Sequence, residues 1–330
     1  MADALNYTIH ALSDLATLRD KPAVGPEDRT GIDFITSLLR RAQVFVLPER
    51  GELLDRAKSR PQVSGLTYTP PFPVVALEYR SSDREGCRRD PIYEATDCSR
   101  RISLAWEWDG VMPNGAPSDG GPEVGSGVCI ASVVYIDNLR MWVPFAGAFL
   151  VPYDCIYREP EKLQEHTLAL LKSRRISEKQ AMRSAIEIGG ILPLMPNWLQ
   201  STIQSFGHDR ALGMLQTDLM DEVNAYLDLC VALACRNVEA SHRAQPPKLN
   251  KSRIKKGQLP YRDFHVLTIG GEEYEGGGMS GQGTGVRSHL RRGHIRRLSP
   301  ERITWVNATI VKGRRDGFVE KAYALDRETA

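Results

Sequence analysis

The sequence predicts an α+β protein: a mixed N-terminal part built on an antiparallel sheet, a helical middle, and a basic, β-rich C-terminal module ending in a β-meander. Three observations carry this expectation. In Ile102–Asp109 the residues Ile102, Leu104, Trp106 and Trp108 alternate with Ser103, Ala105, Glu107 and Asp109, the period-2 signature of a strand. Leu219, Val223, Tyr226, Cys230 and Leu233 recur at helical spacing. Positive charge concentrates in Lys248–His265 and Arg287–Leu298, although 43 Lys and Arg against 41 Asp and Glu leave a net charge of only +2.

Along the chain, Ile32, Phe34, Ile35, Leu38 and Leu39 predict a helix, with Arg40 and Arg41 suited to its C-terminal end. The turn-rich passage Pro61–Pro73 separates it from Val74–Tyr79, which reads as a strand. After the strand at Ile102–Asp109 comes a flexible excursion, Gly110–Gly127. Two strand-like runs follow, Val128–Ile136 and Met141–Pro152, joined by a turn at Asp137 and Asn138, which makes the sheet mainly antiparallel. Glu161 to Asn237 reads as helical, interrupted at Pro193 and Pro196. Phe264–Ile269 is a strand, and the glycine-rich Gly270–Gly285 is a mobile loop. The meander comprises Ser288–Leu298, Ile303–Lys312 and Phe318–Leu325, with turns at Ser299–Arg302 and Gly313–Gly317. These readings divide the chain into parts 1–160, 161–240 and 241–330.

The 330 residues have the apolar and charged fractions of a soluble globular protein, and a core of ordinary size is within reach. The first residues lack the basic and apolar regions of a signal peptide, and the longest apolar run, Met141–Tyr153, is broken by Pro144 and Pro152. A cytoplasmic protein without a membrane partner is expected. The six cysteines form no C-x-x-C pair and read as reduced, structural thiols.

Toward the C-terminus the residues Cys235-x-Asn237-Val238, Lys248-Leu249-Asn250-x-x-Arg253-x-Lys255-Lys256-Gly257, His265-Val266-Leu267, His289-x-Arg291-Arg292-Gly293-His294-x-Arg296-Arg297-Leu298, Trp305-Val306 and Gly317-x-Val319-x-x-x-Tyr323 follow one another. This succession resembles a C-terminal pattern of uncharacterised proteins from tailed bacteriophages and prophages. It spans roughly Leu219 to Leu325. The resemblance implies a viral context, and so a host cytoplasm, without implying an activity or catalytic residues.

The preferred reading of the basic module is non-enzymatic: Lys251, Arg253, Lys255, Lys256, Arg291, Arg292, Arg296 and Arg297 engage nucleic-acid phosphates, to which guanidinium offers a planar fork. Trp305 is either a stacking surface for a base or a core anchor. The lysine run reads equally as a phosphate-steering loop or a plain linker. One alternative is an RNase-like enzyme in which His265, His289 and His294 exchange protons while Arg291 or Arg292 stabilises the pentavalent phosphate. The other is an interaction protein whose arginines meet an acidic host or phage protein.

No metal and no cofactor is expected. His289 and His294, five residues apart, diverge on a helix and take opposite parity on a strand. Glu78-Tyr79-Arg80 with Asp90 or Glu94 is a weak version of a carboxylate metal site. Asp218, Asp221, Glu222 and Asp228 read mostly as the polar side of a helix. Gly276–Gly285 lacks the context of a phosphate loop.

Overall fold

The computed structural model describes residues 4–54, 68–81, 98–115, 124–153, 168, 171–172, 178, 190–269, 287–291, 294–306, 309–311 and 315–319. In chain order its elements are α1 (Tyr7–Arg19), α2 (Pro26–Arg41), β1 (Gln43–Val46), β2 (Val74–Arg80), β3 (Arg100–Glu107), β4 (Gly127–Ile136), β5 (Met141–Pro152), β6 (Gly190–Pro193), α3 (Pro196–Phe206), α4 (His208–Leu233), β7 (Val238–Arg243), α5 (Pro247–Lys255) and β8 (Phe264–Ile269). They continue with β9 (Arg287–Arg291), β10 (His294–Ser299), β11 (Arg302–Val306), β12 (Thr309–Val311) and β13 (Arg315–Val319). The protein is α+β.

An eight-stranded sheet in the order β6-β5-β4-β3-β2-β1-β8-β7 organises the molecule. From β2 to β6 neighbouring strands are antiparallel, as expected, whereas β1 lies parallel to both β2 and β8. Parallel strands are stable when both faces are covered, and six consecutive residues of β2, Val74–Tyr79, are buried. Parity sends Val74, Ala76, Ile102, Leu104 and Trp106 to one face, under α1 and α2. Val75, Leu77, Tyr79 and Ala105 go to the other, under α4. Leu15, Ile32, Ile35, Leu38 and Leu39 are completely buried on the first face, each contributing about 1.5–3 kcal/mol relative to exposure.

Strands from all three sequence parts enter this one sheet. α1, β1, β6 and β7 were not expected from the sequence, whereas α3 and α4 fall in the stretch read as helical. The reason for α1 is physical: Asn6 precedes it in a left-handed conformation (φ 58°) and provides no side-chain cap. The cap comes instead from Glu78 on β2, whose Oε1 accepts a hydrogen bond from the Thr8 N–H at 2.7 Å. Asp28 of α2 does the same for α3, accepting from the Asn197 N–H at 3.0 Å.

The basic run expected as a loop or linker forms α5 instead, closed by Gly257 at φ +68°. At the C-terminal end β10 and β11 form an antiparallel hairpin around the expected turn. β9 pairs antiparallel with β12, Arg291 opposite Thr309, in a separate three-stranded sheet of order β12-β9-β13. The third strand departs from an antiparallel meander: β13 lies parallel to β9. The expected loop Gly270–Gly285, and Asp90, Glu94 and Arg292, lie outside the described residues. No described helix is long and apolar enough to cross a membrane.

Candidate functional site

α5 carries the basic surface. A helix turns about 100° per residue, so Lys248, Lys251 and Lys255 fall within about 60° of one another, in a row about 10 Å long. The opposite side faces the protein. The Asn250 side chain donates to the Tyr261 carbonyl and accepts from the Tyr261 N–H, both at 2.8 Å. The Arg253 guanidinium lies 3.8 Å from the centre of the Tyr261 ring, and its Nε donates to the Leu259 carbonyl at 2.8 Å. Arg253 is therefore a positioning residue of the helix. Lys248, Lys251, Lys255 and Lys256 are exposed, and among the described residues none is paired with a carboxylate. Leu249, Ile254 and Leu259 are exposed beside them.

The hairpin offers less open charge than its sequence suggests. Trp305 is 5% exposed and packs with Ile303 against the α4 side of the sheet, so it anchors the hairpin in the core and presents no open face to a base. Arg297 turns back on its own turn, donating to the carbonyls of Ser299 and Pro300 at 3.3 and 3.2 Å. Arg296 is exposed and stands opposite Thr304. Arg291 occupies β9 opposite Thr309, its side chain outside the described residues. The hairpin joins the chain just before β7, through Asn237, and α5 follows β7. The two basic elements thus attach at opposite ends of a strand about 17 Å long.

The histidines separate. His289 and His294 sit in β9 and β10 at positions of opposite parity, their side chains outside the described residues. His265 is buried in β8, its ring stacked 5.0 Å from that of Phe45 and tilted against that of Phe72 at 5.3 Å. Burial holds its pKa below the ordinary imidazole value. Its nearest histidine is one the sequence reading passed over: His242, directly opposite on β7, with ring centres 5.4 Å apart. His242 Nε2 lies 3.4 Å from Asp263 Oδ2, and Asp263 also accepts from the Gln245 N–H at 2.8 Å. Only register reveals this pairing, since the two histidines are far apart in sequence.

Two buried carboxylates were also misread. Glu222, expected on the polar side of its helix, is fully buried between α4 and the sheet. Its Oε1 accepts hydrogen bonds from Arg101 Nε at 2.6 Å, Ser132 Oγ at 2.8 Å and the Tyr79 hydroxyl at 3.1 Å, and Arg101 also donates to Oε2 at 3.2 Å. Its signal was present: Glu222 is three residues after Leu219 and four before Tyr226, within the apolar stripe. Asp228 is likewise completely buried.

Glu78, considered with Asp90 and Glu94 as a metal site, is 1% exposed and serves as the cap of α1. Burial raises its pKa. It borders a cavity of about 10 Å³, lined also by Asn6, Thr8, Val46, Arg262 and Phe264. Arg262 in turn donates from Nη1 to the Leu39 carbonyl near the end of α2. These contacts tie helix ends to the sheet. Among the described residues no group of three or more His, Cys, Asp and Glu could hold a metal ion.

The chain matches no protein-family model, no curated protein and no solved structure.

Proposed function

We propose that this is a phage or prophage protein of the host cytoplasm that binds nucleic-acid phosphates without cleaving them, through Lys248, Lys251 and Lys255 on α5 and Lys256 just after it, with Arg296 on the hairpin. The observation that supports this most is the lysine row. Three ammonium groups share one exposed side of a helix whose other side is fixed by Asn250 and Arg253. A row about 10 Å long matches about three nucleotides of one strand, at about 3.4 Å each along the duplex axis. Lysine is a flexible point charge, which suits backbone contact rather than base readout.

The test is fluorescence anisotropy with labelled single-stranded and duplex oligonucleotides at low salt. Wild type binds, and Lys248→Glu/Lys251→Glu/Lys255→Glu does not, while its melting temperature stays near that of wild type. Equal binding by both proteins would overturn the reading. If wild type instead binds an acidic peptide in preference to both nucleic acids, the protein-interaction alternative replaces it.

A cleaving enzyme is the second reading, and one observation redirects it. His242 lies near Asp263 and faces His265, an acid–base arrangement of its own. On this reading His242→Ala abolishes RNA turnover.

A further inference from the structure

We infer that β7 is a self-association edge: two copies of the chain pair β7 with β7 antiparallel about a twofold axis at Ser241, which sets each Glu239 opposite the partner's Arg243.

The two edges of the large sheet differ. At one end, β6 is four residues long, begins with Gly190 and ends with Pro193, which has no N–H to donate. Such an edge is blunted against further pairing. β7 at the other end is a regular six-residue strand without Gly or Pro, and its register against β8 is unbroken from Val238 to Arg243. Among the described residues β8 is its only strand neighbour, and Glu239, Ala240 and His242 are exposed. A regular open edge is a template for another strand.

Charge selects the occupant. Glu239 and Arg243 sit at either end of the strand with Ser241 midway, and among the described residues neither is in an ion pair. Parity puts all three on one face of the sheet. A twofold axis through Ser241, perpendicular to the sheet, preserves that face and generates two opposite-charge cross-strand pairs. Parallel pairing of two copies would set Glu239 against Glu239 and Arg243 against Arg243. An antiparallel register shifted by two residues would leave the charges without opposites. Cross-strand pairs of opposite charge favour pairing and like charges oppose it, so the sequence of β7 complements its own reverse.

The experiment is sedimentation velocity of the full chain over a concentration series, with circular dichroism confirming that each variant is folded. Wild type shows a reversible monomer–dimer equilibrium. Glu239→Arg and Arg243→Glu each weaken the dimer by roughly tenfold or more, and the charge-exchanged double variant Glu239→Arg/Arg243→Glu recovers it. Ser241→Cys, opposite itself across the axis, forms an oxidised cross-linked dimer that wild type does not. A wild type that stays monomeric at every concentration overturns the inference. So does a dimer indifferent to both single changes, or one that the double exchange fails to restore. If either single variant does not fold, recovery in the double variant and cross-linking of Ser241→Cys decide the matter.

Discussion

Asn237 holds Trp305 the way a neighbouring strand would: its side-chain Oδ1 accepts from the Trp305 N–H at 2.8 Å, and its Nδ2 donates to the Trp305 carbonyl at 2.9 Å. The Thr304 hydroxyl adds a third bond to Oδ1 at 3.0 Å. Asn250 treats Tyr261 identically. Each amide satisfies both backbone groups of one residue, and together the two fasten the hairpin and α5 at either end of β7. Both asparagines belong to the C-terminal residue pattern read from the sequence, so part of that pattern is explained by anchoring alone.

Asn237→Ala strands the backbone of a buried residue, which costs about 1–3 kcal/mol. Hydrogen exchange is expected to accelerate across His294–Val306 while β2 to β5 remain protected. Unchanged protection in the hairpin would show that Ile303 and Trp305 hold it without the amide.

Gly31 in α2 lies against the backbone of Leu194, and a Cβ there would overlap the Leu194 carbonyl. Gly31→Ala is therefore expected to cost about 1–3 kcal/mol or more through overpacking, read as a lower urea midpoint. Gly190→Ala is the matched control, because a Cβ there meets nothing within 4 Å. Equal midpoints for the two variants would contradict this packing account.

The cap of α1 makes stability depend on pH. Burial raises the Glu78 pKa above the ordinary value of about 4.3, so the folded state keeps a proton where the unfolded chain has released it. Its contribution is full below the ordinary value and is lost as pH rises through the folded-state pKa. Glu78→Gln retains an oxygen for the Thr8 N–H and removes the titration. Urea midpoints of the variant are expected to decline less than those of wild type above about pH 4.3, the remaining decline coming from Glu222, whose pKa burial also raises. Parallel profiles for the two proteins would refute the assignment.

Arg101→Met leaves the Glu222 carboxylate buried without its cation. The side chains are 13% and 0% exposed, a setting in which removing one partner of an ion pair costs about 3–5 kcal/mol. Adding Glu222→Gln is expected to recover part of the loss, because the amide keeps an acceptor for Ser132 and Tyr79 without the charge. A double variant less stable than Arg101→Met would contradict this.

The strands β2 to β5 and β8 were legible because apolar runs and period-2 alternation are local signals, and α2 was legible from its apolar stripe. What was not legible depends on residues distant in sequence. α1 starts on a carboxylate 70 positions away. α5 follows Pro246, starts at Pro247 and carries three lysines and an arginine among its nine residues, so it reads as a linker until Asn250 meets Tyr261. β1 and β7 are short, and pairing defines them. At the site, the lysines could be found by charge alone, but only helix geometry separates Lys251 and Lys255, which face outward, from Arg253, which stacks on Tyr261. Trp305 illustrates the converse: a tryptophan beside arginines suggests stacking on bases, while its burial makes it an anchor.

The most direct test of phosphate binding by α5 is the salt dependence of affinity. Each phosphate neutralised by a lysine releases condensed counterions, so log K falls linearly with log salt, by about 0.7 per contact on a single strand and about 0.9 on duplex DNA. Titrations of wild type, Lys251→Ala, Lys255→Ala and the double variant are expected to give slopes shallower by about one such increment per lysine, with Lys21→Ala, on the turn after α1, unchanged. Slopes identical across all five proteins, or a wild type whose affinity ignores salt, would contradict the account.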